Sequence, residues 1–270
     1  MQSPTISADL KDVLKKLKLG HIIATLPDRL VLADKQELNL EETLLLVLSD
    51  EVSRRESSAV QRRADRAGLD PTMQLERWDP MAKVRYDKRV LAEVASLRFV
   101  EAKKNALILG PVGVGKTFLA SAIGHIACRH GYNVHFTRAD AMLRRLKQSR
   151  LDNSRDALLT ELCTVDLLII DDFALEPMTR DESRDVYQLF VERSGRASTL
   201  VTSNRDTSEW LATFDDVLLG QSAVDRFAHA AYDLIVEGES YRAKLKPKVR
   251  EDDPPPPPPV NKKPLIGRRR

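Results

Sequence analysis

Two hydrophobic rhythms divide the chain. In roughly the first 70 residues, apolar positions recur at helical spacing. Leu10, Val13, Leu14 and Leu17 fall at i, i+3, i+4 and i+7, on one side of a helix. A second helix is predicted from Asn39, an N-cap residue followed by Glu41 and Glu42 at the positive end of the helix dipole, to Gly68. In an unbroken helix Leu44 and Leu48 share a face with Arg55, Arg62 and Arg66. Either the helix breaks near Ser53, or that face turns from apolar to basic. Residues 69–80 hold Pro71 and Pro80 and no clear period, which suits a linker or the first strap of the next domain.

After this stretch, short apolar runs alternate with helices. The pattern predicts a helix over Asp87–Phe99, a strand over Ala106–Leu109 and a helix ending at Arg129. Next come a strand over Asn133–Thr137, a helix over Ala139–Gln148, a helix around Asp156–Leu162 and a strand over Leu167–Ile170. A helix over Glu182–Arg193 and a strand over Thr199–Thr202 complete the series. Apolar strands separated by helices are the signature of an α/β fold, a parallel sheet covered on both faces. From Asp215 the remainder is expected to be helical, including Ser222–Ala231. Three units follow: a small all-helical N-terminal domain (1–70), an α/β domain (71–243) and a tail (244–270). The tail contains Pro254–Pro259 and ends in Arg268–Arg270; with few apolar residues to pack, it is expected to be disordered.

Composition narrows the class. Of 270 residues 42% are hydrophobic and 31% charged, and no apolar run approaches the roughly 20 residues that cross a bilayer. Met1–Leu19 lacks an uninterrupted apolar core of a secretion signal, so a cytoplasmic protein without membrane partners is expected. Cys128 and Cys163 sit in apolar segments and read as core residues. The formal charge of +3 is uneven: residues 242–270 carry ten Lys or Arg against three acids, leaving −4 for residues 1–241. Any nucleic-acid contact of the folded part therefore rests on local clusters.

The strongest chemical signal runs Gly110-Pro111-Val112-Gly113-Val114-Gly115-Lys116-Thr117. It satisfies G-x-x-x-x-G-K-[ST] between a predicted strand and a predicted helix. Backbone N–H groups turned inward around phosphate oxygens, the helix N-terminus, and Lys116 on the β- and γ-phosphates make an ATP cradle, with the Thr117 hydroxyl on Mg²⁺. Asp166-Leu167-Leu168-Ile169-Ile170-Asp171-Asp172 reads as the acidic strand of the same site, Asp171 for Mg²⁺ and Asp172 to polarise the attacking water. Asp172 is one methylene shorter than glutamate, which favours slow hydrolysis. Ser203-Asn204 closes a later strand and offers a polar amide near the γ-phosphate.

In this order, the residues resemble the AAA+ clade that contains IstB-type transposition helpers and DnaC-type helicase loaders. The match spans about Asp87 to Arg242 and adds Glu209-Trp210, Asp225-Arg226-Phe227 and Gly238-Glu239-Ser240-Tyr241-Arg242, closer to IstB. The resemblance implies an AAA+ P-loop NTPase fold, Asn204 as sensor 1, and Arg226 as an arginine finger reaching a neighbour's ATP in a homo-oligomer. Arg242 is implied as a second sensor. Two departures stand out: Ala174 where glycine is common, and Arg205-Asp206 where an apolar residue and proline are common.

Duplex DNA is the expected polymer partner. Arg144, Arg145 and Lys147 point away from the apolar face of their helix, with Arg150 just beyond, and Arg55, Arg62 and Arg66 form a second cluster. Such contacts to phosphates carry little sequence preference. Interspersed acids leave a solvated, self-paired helix face as the alternative. The expected function is an oligomeric, DNA-stimulated ATPase that helps a DDE-type transposase select and remodel target DNA. The alternatives are a helicase loader, a non-hydrolysing ATP-dependent scaffold on DNA, and a small-molecule phosphotransferase.

Overall fold

The computed structural model describes residues 5–79, 83–229 and 231–241. Arg242 and the expected tail lie outside the described residues. The chain begins with helices α1 (Ala8–Lys16), α2 (Ile22–Lys35) and α3 (Leu40–Ala67). Asn39 Oδ1 accepts the Glu42 N–H, and Glu42 Oε2 accepts the Asn39 N–H, which satisfies two donors that the helix start leaves open. Gly68, with φ 76°, ends the helix. α3 is therefore unbroken past Ser53, and its outer face does turn from apolar to basic. Of the α1 stripe, Leu14 packs with Ile22, Leu26 and Val47. Leu10, Val13 and Leu17 stay exposed, as do Leu44 and Leu48.

Glu51 is the polar anchor of this unit. It is 4% exposed and accepts from Arg54 Nε at 2.8 Å and Arg55 Nε at 2.6 Å. Arg55 also donates to Lys18 O, tying α3 to the end of α1. The Arg54 hydrogen bond is the main cause that lowers the Glu51 pKa from 4.5 to about 2, against the opposing effect of burial. A lowered folded-state pKa stabilises the fold above the unfolded value, and that contribution is lost as pH falls. The N-terminal helices are thus expected to lose stability between pH 4.5 and about 2. Denaturant midpoints measured across this range should fall less steeply for Glu51→Gln than for the unaltered chain.

The end of α3 is built into the second unit. Ala64, Ala67 and Leu69 share a core with the sheet, and Arg63 Nε donates to Cys128 O at 2.9 Å. The sheet strands are β1 (Val84–Tyr86), β2 (Asn105–Leu109), β3 (Val134–Arg138), β4 (Leu167–Asp171), β5 (Ser198–Ser203) and β6 (Ala231–Gly238), in the order β1-β6-β2-β5-β4-β3. All pairs are parallel except β1 with β6. Around it lie α4 (Lys88–Ala95), α5 (Arg98–Glu101), α6 (Lys116–Arg129), α7 (Ala139–Ser149), α8 (Arg155–Thr164), α9 (Arg180–Arg193), α10 (Thr207–Trp210) and α11 (Val217–Ala228).

Strand alternation divides the core in two. Ala106, Ile108, Leu167, Ile169 and Leu200 face α6 and the end of α3, whereas Leu107, Leu168, Ile170 and Val201 face α7, α9 and α11. Each fully buried Leu or Ile contributes about 2 kcal/mol of transfer free energy, so the central strands are apolar on both faces.

Three expectations change. The predicted helix Asp87–Phe99 is two helices, divided at Leu97, whose φ is 62°. α11 stops at Ala228 instead of continuing through Ala231, and the chain then forms β6 where helix was expected. Leu234 and Val236 are buried between exposed Asp233, Ile235 and Glu237, a period of two that favours a strand beside β2. β1 completes the edge as a short antiparallel partner of β6.

Candidate nucleotide site

β2 delivers the phosphate loop to the C-terminal edge of the sheet, where open α/β folds bind ligands. Val114, 1% exposed, anchors the loop in the core. Gly115 caps α6 with φ 98°, and a Cβ there would lie 2.8 Å from the Trp78 ring. Only glycine accepts both the backbone conformation and the close approach. Lys116 is 6% exposed, and its Nζ donates to Gly110 O at 2.8 Å and Pro111 O at 2.9 Å. Thr117, in the first turn of α6, donates to Asp171 Oδ1 at 3.1 Å and Oδ2 at 3.0 Å.

Asp171 is 3% exposed at the end of β4 and accepts a second hydroxyl, Thr202 Oγ1, at 2.6 Å. Burial raises its pKa; Thr202 and Thr117 lower it, while neighbouring Asp172 adds to the rise. A carboxylate and a hydroxyl converging at the mouth of a phosphate loop are hard oxygen donors of the kind Mg²⁺ takes together with phosphates and water. Asp172 leaves the strand with φ 55° and is half-buried, its N–H donating to Thr202 Oγ1 at 3.0 Å. Ala174 also holds a left-handed φ, 59°, which explains why glycine suits that position better.

Gly110 N–H donates to Ser203 O at 3.3 Å, so exposed Asn204 stands beside the start of the loop. The departure at Arg205-Asp206 has a local purpose. Asp206 caps α10 in a capping box with Glu209, and α10 places Trp210 in the core. Phe173 meets Trp210 edge-on with ring centroids 4.7 Å apart, and Phe190 stacks on Phe227 at 5.2 Å. Packing thus joins the chain after Asp172, the chain after Asn204, and the helix that bears Arg226.

Arg226 itself is exposed. It donates to the Ser222 carbonyl at 3.1 Å and to the Ser222 hydroxyl, and lies 5.9 Å from the Tyr187 ring centroid. Asn105 Nδ2 donates to Phe227 O at 2.9 Å, so this end of α11 sits where β2 begins. The phosphate loop follows where β2 ends, five residues on, or roughly 16 Å at the rise of a strand. The backbone at Arg226 therefore lies toward the start of β2, and the phosphate loop lies at its end.

The basic residues divide by environment. Arg144 pairs with Asp140 at 3.2 Å and Arg145 with Glu161 at 3.7 Å, both exposed, and Lys147 is exposed. Arg62 and Arg66 are exposed on α3, whereas Arg55 is held by Glu51 and Lys18 O. Arg150 is turned inward: together with Arg155 it binds Asp185 at 2.7 Å, and Asp185 is 0% exposed. Asp185→Ala is expected to destabilise the fold by about 3 kcal/mol, the low end for a broken buried ion pair, because both arginines can turn to water. Chemical denaturation measures this directly.

Sequence reasoning missed Thr202 and Trp78. Thr202 orients Asp171 and Asp172 together, but only the adjacency of β4 and β5 reveals it. Trp78 forms an aromatic group with Tyr86 and Phe118 over the loop; its sole sequence signal was an aromatic residue in the 69–80 stretch read as a linker or first strap.

A parallel sheet carrying a phosphate loop, an acidic strand end and a polar strand end beside it defines a P-loop nucleotide-binding protein of the AAA+ type. The fold of domain III of the Thermotoga maritima replication initiation protein DnaA is similar, with TM-score 0.52, 20% identity, and coverage of 63% of this chain and 68% of that one. The DnaC helicase loader also resembles it, with TM-score 0.52, 20% identity and coverage of 62% and 97%. The chain belongs to the family of IstB-like ATP-binding proteins, whose family model matches residues 12–249. A Pseudomonas aeruginosa relative, named for insertion sequence IS21 and for ATP binding, is 34% identical over 240 residues, 89% of this chain and 91% of its own. A Mycobacterium tuberculosis relative, also named for ATP binding and an insertion sequence, is 33% identical over 88% of this chain and 95% of its own. Among the described residues, no helix is long and apolar enough to cross a membrane.

Proposed function

We propose that this protein is a cytoplasmic, oligomeric, DNA-stimulated ATPase that helps the DDE-type transposase of its insertion sequence select and remodel target DNA. The observation that supports the assembly is the placement of the helix end bearing Arg226 by the start of β2, with the phosphate loop at the strand's other end. An arginine so placed suits a nucleotide held by a neighbouring subunit, where it stabilises charge on the transferring phosphoryl group. The names of the relatives supply the insertion-sequence setting.

Within one site, the N–H groups of Gly113, Val114 and Gly115 cradle phosphates and Lys116 neutralises the outer ones. Thr117 and Asp171 would hold Mg²⁺, which would supply neutralisation of phosphate charge. Asp172 orients and deprotonates the attacking water, and Asn204 fixes it against the terminal phosphate. Exposed Arg62, Arg66, Arg144, Arg145 and Lys147 are the residues proposed to meet duplex phosphates. Arg150 is left out because Asp185 already holds it, and Arg55 because it joins α1 to α3. Exposed Leu44 and Leu48, beside the basic half of α3, suit a surface covered on assembly.

Phosphate release measured with and without duplex DNA tests the reading. Stimulation by duplex that Asp172→Asn abolishes is the expected result. ATP binding without release, with or without DNA, would leave a scaffold instead.

A further inference from the structure

Past β6 the chain turns back across the phosphate loop. Glu239 N–H donates to Lys83 O at 3.2 Å, and Tyr241 N–H donates to Gly113 O at 2.8 Å. The approach at Gly113 is close: its φ is 88°, and a Cβ there would lie 2.1 Å from Ser240 Oγ. The strap is fastened from the other side too. Val84 pairs with Gly238 across β1 and β6, and Lys83 Nζ lies 3.5 Å from Glu239 Oε2.

Peptide planarity gives these contacts a consequence. The Gly113 carbonyl and the Val114 N–H belong to one trans peptide and point in opposite directions. A donor that holds the carbonyl toward the strap holds the N–H away from it. That N–H has no acceptor among the described residues, in a loop whose motif uses N–H groups to bind phosphate.

We propose that residues 239–241 are part of the nucleotide site, with the Tyr241 N–H as a positioning donor that keeps the Val114 N–H presented to a phosphate oxygen. The affinity for nucleoside di- and triphosphates is then set in part from the C-terminal side of the fold. The inference rests on the ATP-site reading and adds a residue to it.

Two full-length variants remove the donor. Tyr241→Pro does so because proline carries no backbone N–H. An amide-to-ester replacement at Tyr241 deletes the N–H alone. Dissociation constants for ATP and ADP are measured by calorimetry, alongside melting temperatures without nucleotide. Both variants should bind ATP and ADP about tenfold more weakly, the effect of one hydrogen bond of about 1.4 kcal/mol. ATP and ADP should weaken alike, because loop N–H groups cradle the phosphates they share. Tyr241→Ala, which keeps the donor, should lose less. Unchanged affinity in the ester variant overturns the proposal, as does a loss in Tyr241→Ala equal to that in the ester. A nucleotide-free melting temperature that falls in step with affinity also overturns it. If the unaltered chain binds neither nucleotide, the ATP-site reading fails first and the strap's role with it.

Discussion

Lys116→Ala is expected to lower ATP turnover by at least about a hundredfold, the usual effect of removing one preorganised donor from a phosphoryl-transfer site. The lysine sits at the start of α6, where the positive end of the helix dipole disfavours a cation. It is also almost wholly removed from water, with its Nζ turned onto the Gly110 and Pro111 carbonyls. Burial and the dipole both oppose a charge there, so its presence is explained by an anion that arrives later. Alanine is the better helix former in that first turn. Turnover should therefore collapse while the melting temperature stays near that of the unaltered chain. Phosphate release and thermal denaturation together separate lost chemistry from lost fold. Activity within tenfold of the unaltered protein would contradict Lys116 as the phosphate ligand.

Arg226→Ala should have an effect of similar or greater size for a different reason. A guanidinium supplied to a phosphoryl-transfer site accelerates turnover by about a thousandfold or more. In its own subunit the side chain rests on Ser222 and near the Tyr187 ring, exposed contacts worth little to stability. The variant should fold normally and bind ATP with the affinity of the unaltered protein, because the helix end that bears it sits by the start of β2 and its own loop at the strand's other end. Only turnover in the assembled state should fall. Weakened ATP binding by the isolated subunit would place the arginine in the wrong site.

These two predictions also mark how far the sequence could be read. Gly110–Thr117 and Asp171-Asp172 were legible because phosphate chemistry demands fixed residue types at short spacing, next to apolar runs that can only be central strands. The ends of α3 were legible for the same local reason, an N-cap at Asn39 and a left-handed Gly68. β6 was not. Its period-two signal is interrupted by exposed Ile235, and its partner β2 lies more than a hundred residues earlier in the chain. Nor could spacing show that Arg150 is held by Asp185, or Arg63 by the Cys128 carbonyl, since those partners are 35 and 65 residues away. Basic residues of equal appearance in the sequence divide between packing and surface only when the helices are placed. The opposition of Arg226 and the phosphate loop needed the sheet order as well, because it depends on α11 ending where β2 begins.

The central claim is a nucleotide site completed by a neighbour, and mixing two inactive variants tests it most directly. Lys116→Ala retains Arg226 but lacks a working loop; Arg226→Ala retains the loop but lacks the finger. Phosphate release is measured for each alone and for an equal mixture, with ATP, Mg²⁺ and duplex DNA present. The shared site predicts that the mixture regains turnover, from interfaces at which an intact loop meets an intact arginine. A mixture as inactive as either variant, or an Arg226→Ala protein with full turnover alone, would contradict it.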